Sequence, residues 1–377
     1  MLNEIKDKLQ RQVQKNWEKN NCKGLAALCT GAGKSKIAVN IISDDMHKGK
    51  WLLVVPTEKL RDENWKEEFS KWKKKTYYSK MDRACYASLS KVDLSKYDGV
   101  ILDEAHNLTS ANSEPFNELS SIFFRRLKIL ALTATPPKEE EKLEILKNLG
   151  LKTIKELKLD EGVKLGIVAP YQIIIVETHL DDIKKGSPGG SKNKPFMTTE
   201  FKNYQFKNRR IQQIRFSGKP VPKFLYLDRM RMLYDLQSKT DAAKAILKDI
   251  PKDKKTLIFA GSIKQAEELE KKTFHSKSDD KDLKRFQADK IKRLSCVQSL
   301  NEGHNIANLD IGLVVQLNSN PRNLIQRIGR LVRIRDGHTA KIYILSCVNT
   351  QDEKWVEKAI EGLDRNNITY TSIKNYK

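Results

Sequence analysis

The chain has 377 residues, 39% of them hydrophobic, and no run approaching the length of a membrane span, so it has material for two ordinary domains rather than one core. Lysine and arginine number 71 against 48 aspartates and glutamates, and the net charge of +23 favours a polyanionic partner, most often nucleic acid. The five cysteines (Cys22, Cys29, Cys85, Cys296, Cys347) are dispersed, with no CxxC pair and no signal-peptide core ahead of them. That pattern excludes a disulfide framework or a zinc site and fits reduced thiols in a cytoplasmic protein, in the host cytoplasm for a viral chain.

Short apolar runs at 24–28, 51–55, 100–102 and 128–132 alternate with helical patterns and predict the strands of a parallel α/β sheet. A second set at 172–176, 256–260, 311–317 and 341–345 predicts another. The expected domains are 1–165 and 166–377, because the segment between Pro136-Pro137 and Pro170 passes from a Lys/Glu-rich helix through Gly162 and Gly166. Residues 181–235 stand apart as an insertion, opening with the flexible Lys184-Lys185-Gly186-Ser187-Pro188-Gly189-Gly190-Ser191. From Lys184 to Tyr234 there are 13 Lys or Arg, and the acids are Glu200 and Asp228. Phe196, Phe201, Tyr204, Phe206 and Phe216 are interleaved. Such a mixture fits either a groove with stacking platforms for nucleic acid or an insertion whose aromatics anchor it to the second domain.

Several motifs carry chemistry. Thr30-Gly31-Ala32-Gly33-Lys34-Ser35 follows the first strand and opens a helix. The strict GxxxxGK[ST] pattern is broken by Leu28 at its first glycine, but the small residues still allow backbone N–H groups to curl around phosphate. Lys34 supplies charge for the β- and γ-phosphates, and Ser35 a hydroxyl for Mg²⁺. Val100-Ile101-Leu102-Asp103-Glu104-Ala105-His106 is an apolar strand ending in two carboxylates. Asp103 suits a Mg²⁺ ligand and Glu104 the polarisation of an attacking water. Thr133 and Thr135, in Leu132-Thr133-Ala134-Thr135-Pro136, offer paired hydroxyls for a relay. Far downstream, Gln326-Arg327-Ile328-Gly329-Arg330-Leu331-Val332-Arg333 places three arginines at a spacing of three, on one helical face. Following a P-loop and an acid pair, that stripe points to a second domain directing guanidinium groups at the first domain's nucleotide. Trp65, Phe69 and Trp72 at helical spacing read as core rather than as a base-stacking ladder.

In this order the motifs resemble a superfamily 2 helicase or translocase over almost the whole chain. The resemblance implies two tandem RecA-like P-loop lobes with parallel sheets, ATP in the cleft between them, and nucleic acid across both. It implies nucleotide-binding roles for Thr30, Gly31, Ala32, Gly33, Lys34 and Ser35, and a DEAH box at Asp103, Glu104, Ala105 and His106. It makes Thr133 and Thr135 coupling residues together with His106, Gln326 a group near the γ-phosphate, and Arg330 and Arg333 arginine fingers. By the same resemblance Thr57, in Val55-Pro56-Thr57, contacts the nucleic-acid backbone. Gly303 and Asn305, in Leu300-Asn301-Glu302-Gly303-His304-Asn305-Ile306, touch nucleotide and nucleic acid respectively. Gln12 is the candidate adenine reader, with Gln10 and Gln14 as alternatives. Gly166-Ile167-Val168-Ala169-Pro170-Tyr171 resembles the lobe junction of UvsW- and XPB-like DNA helicases, and the Lys/Asn-rich composition suits a phage member. The expected activity is a nucleic-acid-stimulated ATPase driving movement on or remodelling of DNA in recombination, repair or fork processing, with ATP and Mg²⁺. DNA is favoured over RNA, and the chain is expected to act as a monomer or a weakly associating species. An RNA helicase, a restriction-type motor subunit and a catalytically silent nucleic-acid-binding scaffold are the alternatives.

Overall fold

The computed structural model describes residues 2–45, 49–191, 194–297, 306, 309–317, 324, 328–329 and 339–376. The chain divides into two compact units, Met1–Ala169 and Pro170–Lys377. Among the described residues of the first unit, six strands form one sheet: β1 (Lys23–Leu28), β2 (Trp51–Val55), β3 (Asp82–Cys85), β4 (Gly99–Asp103), β5 (Lys128–Thr133) and β6 (Thr153–Leu157). Their order is β3-β2-β4-β5-β1-β6, and every pairing is parallel. β2 is buried along its whole length, β4 and β5 along all but one residue each. This is why they read as unbroken apolar runs rather than as alternating ones.

The order matters more than the strand count. β1 lies beside β5, and β5 beside β4, although the chain visits β2 and β3 in between. In register, Ala26 and Asp103 both pair with Leu132, so the ends of three strands form one row. The loops that follow β1, β4 and β5 therefore leave from the same edge of the sheet, the position where open parallel sheets bind ligands. The core beneath packs Leu52, Val54, Val100, Leu102, Ile129 and Ala131 against Tyr86, Leu89 and Phe116.

In the second unit the described strands are β7 (Tyr171–Thr178), β8 (Ser187–Ser191), β9 (Lys194–Thr198), β10 (Thr256–Ala260), β11 (Thr273–Phe274), β12 (Arg293–Val297), β13 (Ile311–Val314), β14 (Ala340–Cys347) and β15 (Ile368–Ser372). Seven form a second parallel sheet, ordered β11-β12-β10-β13-β14-β7-β15, while β8 and β9 pair separately as an antiparallel hairpin. Its core sets Val176, Ile258, Leu313 and Leu345 against Ala243 and Ile246 of helix Gln237–Asp249. Two helices, Glu200–Phe216 and Lys223–Tyr234, follow the β8–β9 hairpin before the chain returns to the sheet.

Candidate functional site

The loop after β1 turns on two glycines. Gly31 and Gly33 have φ of +89° and +87°, a region that side-chain-bearing residues rarely enter. Leu28, where the strict pattern has a glycine, is the last residue of β1 and needs no such freedom. Helix Lys34–Asp45 begins directly behind the second turn, so its free N–H groups face the loop. The Lys34 ammonium donates to the Leu28 carbonyl at 2.9 Å, folding back across the loop's mouth. A phosphate would offer it a charged acceptor in place of a neutral one. Thr30 and Ser35 are half-buried beside it, and Ala32 is buried.

One strand over on the far side of β5, β4 delivers Asp103 and Glu104. Asp103 accepts from the Trp65 indole N–H at 2.9 Å and from the Glu104 N–H at 3.1 Å, and its own carbonyl accepts from the Tyr86 hydroxyl at 2.9 Å. Burial, reinforced by the charge of Glu104, pushes the Asp103 carboxyl up to about 7. Burial acts on Glu104 in the same sense, but a hydrogen bond from His106 and the charge of Lys34 together hold its pKa below the ordinary value. Of the two carboxyls, Asp103 retains the proton more readily and Glu104 is the carboxylate. Glu104 also has a left-handed backbone, φ 49° and ψ 55°, which hooks the chain into a 3₁₀ turn over Ala105–Asn107.

That turn carries His106 to β5. Its Nδ1 lies 3.2 Å from the Thr133 hydroxyl and 3.4 Å from Glu104 Oε2. Thr133 donates to the Thr135 carbonyl at 3.0 Å and accepts from the Thr135 N–H at 3.2 Å. A continuous set of contacts thus runs from the second carboxylate through His106 to Thr133 and Thr135.

Two family models match the chain: "Type III restriction enzyme, res subunit" over residues 1–87 and "Helicase conserved C-terminal domain" over residues 238–335. The DNA 3'-5' translocase XPB2 of Sulfurisphaera tokodaii is 25% identical over 379 aligned positions, covering 91% of this chain and 83% of that protein. With these matches the chain is an ATP-dependent helicase-type ATPase. Among solved structures, the helicase domain of Pyrococcus furiosus Hef is similar with a TM-score of 0.53 at 16% identity, over 93% of this chain and 97% of that one. Saccharomyces cerevisiae Dbp5 bound to RNA and ADP BeF3 gives 0.57 at 12% identity, over 94% and 86%. These likenesses establish the fold, two parallel-sheet lobes of the RecA-like kind.

Not every helicase motif residue lands where the sequence suggested. Helix Leu2–Lys19 buries Leu9, Gln10, Val13 and Trp17, and the Trp17 indole donates to the Ile129 carbonyl at 2.9 Å. That seating turns Gln12 outward into solvent. Gln10 faces the phosphate loop instead. Its Nε2 donates to the Ala32 carbonyl at 3.4 Å, and a Cβ added to Gly33 would lie 2.3 Å from that nitrogen. Of the candidate glutamines, Gln10, one of the alternatives, is thus the one placed at the phosphate loop and Gln12 is exposed, because the Leu9–Val13–Trp17 line fixes the rotation of the helix. Thr57 is exposed just past β2, its hydroxyl accepting from the Leu60 N–H at 3.3 Å. Gly303, Asn305, Gln326, Arg330 and Arg333 lie outside the described residues.

Trp65 and Phe69 are buried, as a core reading requires, with ring centroids 6.2 Å apart, whereas Trp72 is only half-buried. The sequence did not reveal that the Trp65 indole also serves Asp103. The acidic oxygen donors fit a magnesium ion. Asp103 and Ser35 supply hard oxygens, the buried Glu104 Oε2 has no well-formed hydrogen bond, and Mg²⁺ is commonly held by one or two carboxylates together with substrate phosphates. No helix among the described residues is long and apolar enough to cross a membrane.

Proposed function

We propose that this helicase-type ATPase is a DNA translocase that couples hydrolysis of ATP to movement along DNA or remodelling of it. The observation that carries the nucleotide half of this reading is the alignment of Lys34, Asp103 and Glu104 along one edge of the first sheet, at the ends of β1 and β4 with β5 between them. Support for DNA comes from the +23 charge and from the relative named as a DNA 3'-5' translocase. A role in recombination, repair or fork processing, in the manner of the UvsW- and XPB-like branch including its phage members, is the finer form of the same proposal.

In this reading the loop N–H groups and Lys34 hold the phosphates, while Ser35 and Asp103 hold magnesium, which would neutralise charge on the β- and γ-oxygens. Glu104, kept ionised, accepts the proton of the attacking water. Its Oε2, met by the long 3.4 Å contact from His106, has acceptor capacity left for that water. His106, Thr133 and Thr135 pass the state of Glu104 to the end of β5. Gln10 lies beside the loop as the adenine-side glutamine, Thr57 contacts the nucleic-acid backbone, and Gly303 and Asn305 serve nucleotide and nucleic acid. Gln326, Arg330 and Arg333 supply the γ-phosphate contacts of the second unit.

The test is ATPase activity without nucleic acid and then with single-stranded DNA, duplex, fork, four-way junction and RNA at matched salt. DNA should stimulate more than RNA. Lys34→Ala and Arg330→Ala should each abolish the stimulated activity while leaving DNA binding largely intact. Full activity in either variant would sink the assignment, and stimulation by RNA alone would redirect it to an RNA helicase.

A further inference from the structure

The helices Glu200–Phe216 and Lys223–Tyr234 form a hairpin whose base is fastened and whose outer face is not. At the base, the Glu200 carboxylate accepts from the Asp181 N–H at 3.0 Å and the Ser238 N–H at 3.1 Å. Tyr204 packs with Leu233, Leu236 and Cys347, and its hydroxyl accepts from the Gln351 N–H at 2.8 Å. Arg229, buried, donates to Asn208 at 2.6 Å and Gln351 at 3.1 Å, while Lys207 pairs with Asp228 at 2.5 Å. The aromatic that anchors this insertion is therefore Tyr204.

The phenylalanines do something else. On the first helix Lys202, Phe206, Arg209, Gln213 and Phe216 recur at spacings of four and three, which places them on one stripe opposite the buried Tyr204 and Ile211. Phe206 is 65% exposed and Phe216 89%. On the second helix Phe224, 58% exposed, shares its outward face with Lys223 and Arg231, opposite Leu225 and Leu233. Phe216 and Phe224 flank the connection 217–222 at the hairpin's tip, with Arg215, Lys219 and Lys223 exposed around them. Both acids of the hairpin are already engaged, Glu200 at the base and Asp228 with Lys207.

We propose that this hairpin is a binding surface for single-stranded nucleic acid, its cations facing phosphates and Phe206, Phe216 and Phe224 presenting ring faces to unpaired bases. The proposal rests on the nucleic-acid reading above and deepens it. A duplex interior offers a ring nothing to stack on, because its base faces are already covered, whereas a single strand offers one face per nucleotide. The length fits a short tract: from Lys202 to Phe216 is about 21 Å at the helical rise. The pattern fits a membrane surface poorly. An interfacial helix needs a continuous apolar face, and here the outward aromatics alternate with cations and Gln213 while the inward face mixes Tyr204 and Ile211 with Glu200 and Asn203.

The experiment uses the full chain, without ATP, and follows fluorescence anisotropy of a labelled twelve-nucleotide oligothymidylate at fixed salt. The same measurement is made with a blunt duplex of equal length, with oligouridylate, and with anionic phosphatidylserine vesicles. Phe206→Ala/Phe216→Ala/Phe224→Ala should weaken single-strand binding roughly a hundredfold or more, with little change for the duplex or in the slope against log salt. Lys202→Gln/Arg209→Gln should instead flatten that slope by about 1.4, or about 0.7 for each phosphate that is no longer neutralised. Hydrogen exchange of β7 and β14, in the hairpin's own unit, verifies that each variant is folded. Single-strand binding unchanged in the phenylalanine variant overturns the proposal, as does an equal loss for single strand and duplex, or a loss confined to vesicles. Wild-type protein that binds no nucleic acid at all refutes the wider DNA reading instead. Oligouridylate bound as tightly as oligothymidylate supports the stacking surface and leaves the choice of DNA to the ATPase test.

Discussion

Replacing Trp65 by phenylalanine should shift the magnesium dependence of nucleotide binding toward higher pH. The indole N–H donates at 2.9 Å to Asp103 Oδ2, and that bond favours the ionised carboxyl. A hydrogen bond to a charged group contributes about 1.5–3 kcal/mol, and one pKa unit corresponds to about 1.4 kcal/mol. Losing it should move Asp103 from about 7 to roughly 8–9. In the proposed role magnesium binds the carboxylate form of Asp103, so its affinity should rise with pH until Asp103 is ionised and then level off. At pH 7 the ionised fraction would fall from about one half to between roughly one in eleven and one in a hundred. The magnesium needed for half-saturation should therefore rise roughly five- to fiftyfold at pH 7, and by about twofold or less at pH 9. The assay is titration of a fluorescent ADP analogue with Mg²⁺ from pH 6 to 9. Trp65 is also buried against Phe69, so the variant leaves a void as well. A void lowers stability at every pH but does not displace the magnesium curve. Superimposable magnesium curves for variant and wild type at all pH values would refute the reasoning.

Two further outcomes follow from interactions of the same kind. Gln10→Ala should weaken nucleotide binding several-fold, on the order of one hydrogen bond, while Gln12→Ala should leave it unchanged; equal effects in a nucleotide titration reject the placement of Gln10. In the second unit Lys239 and Asp352 are both fully buried, 2.6 Å apart, with Gln316 bridging them at 2.9 Å to each. Lys239→Met leaves the Asp352 carboxylate buried and short of a partner, at a cost of about 3–5 kcal/mol. Adding Asp352→Asn should recover much of that loss. Hydrogen exchange of β14 and helix Gln237–Asp249 measures it, and a single-variant loss below about 1 kcal/mol would contradict the account.

The central strands were legible because they are buried on both faces, so β2, β5, β10 and β14 appear as apolar runs. β3 and β6 were not, because they are the sheet's edges, and β6, Thr153-Ile154-Lys155-Glu156-Leu157, is half-exposed along most of its length. β12 lies inside its sheet but carries Arg293 and Ser295 at alternate positions, which breaks the run. The phosphate loop was legible despite Leu28 because backbone freedom is required only where φ is positive, at Gly31 and Gly33. That Gln10 rather than Gln12 faces the phosphate loop was recoverable from Leu9, Val13 and Trp17, whose spacing of four sets the helix's rotation. The Trp65–Asp103 bond was not, since it joins residues 38 apart through tertiary packing and no local pattern encodes it.

What no pattern could announce is how unfavourable the acid pair is in isolation. Glu104 has φ 49°, a conformation better suited to asparagine or glycine, and one costing on the order of 1–3 kcal/mol. Its Oε2 is buried without a well-formed hydrogen bond, and Asp103 beside it is held near neutrality by burial and by its neighbour's charge. A chain selected for stability alone would place a different residue at each of these points. In the proposed function the two electrostatic penalties would be relieved by one event, the arrival of a magnesium-bound triphosphate with its waters, which would supply a cation to Asp103 and a donor to Glu104. The end of β4 is thus poorly suited to an empty site and well suited to an occupied one. His106 touches both Glu104 and Thr133, so it adjoins the group whose environment that event would change.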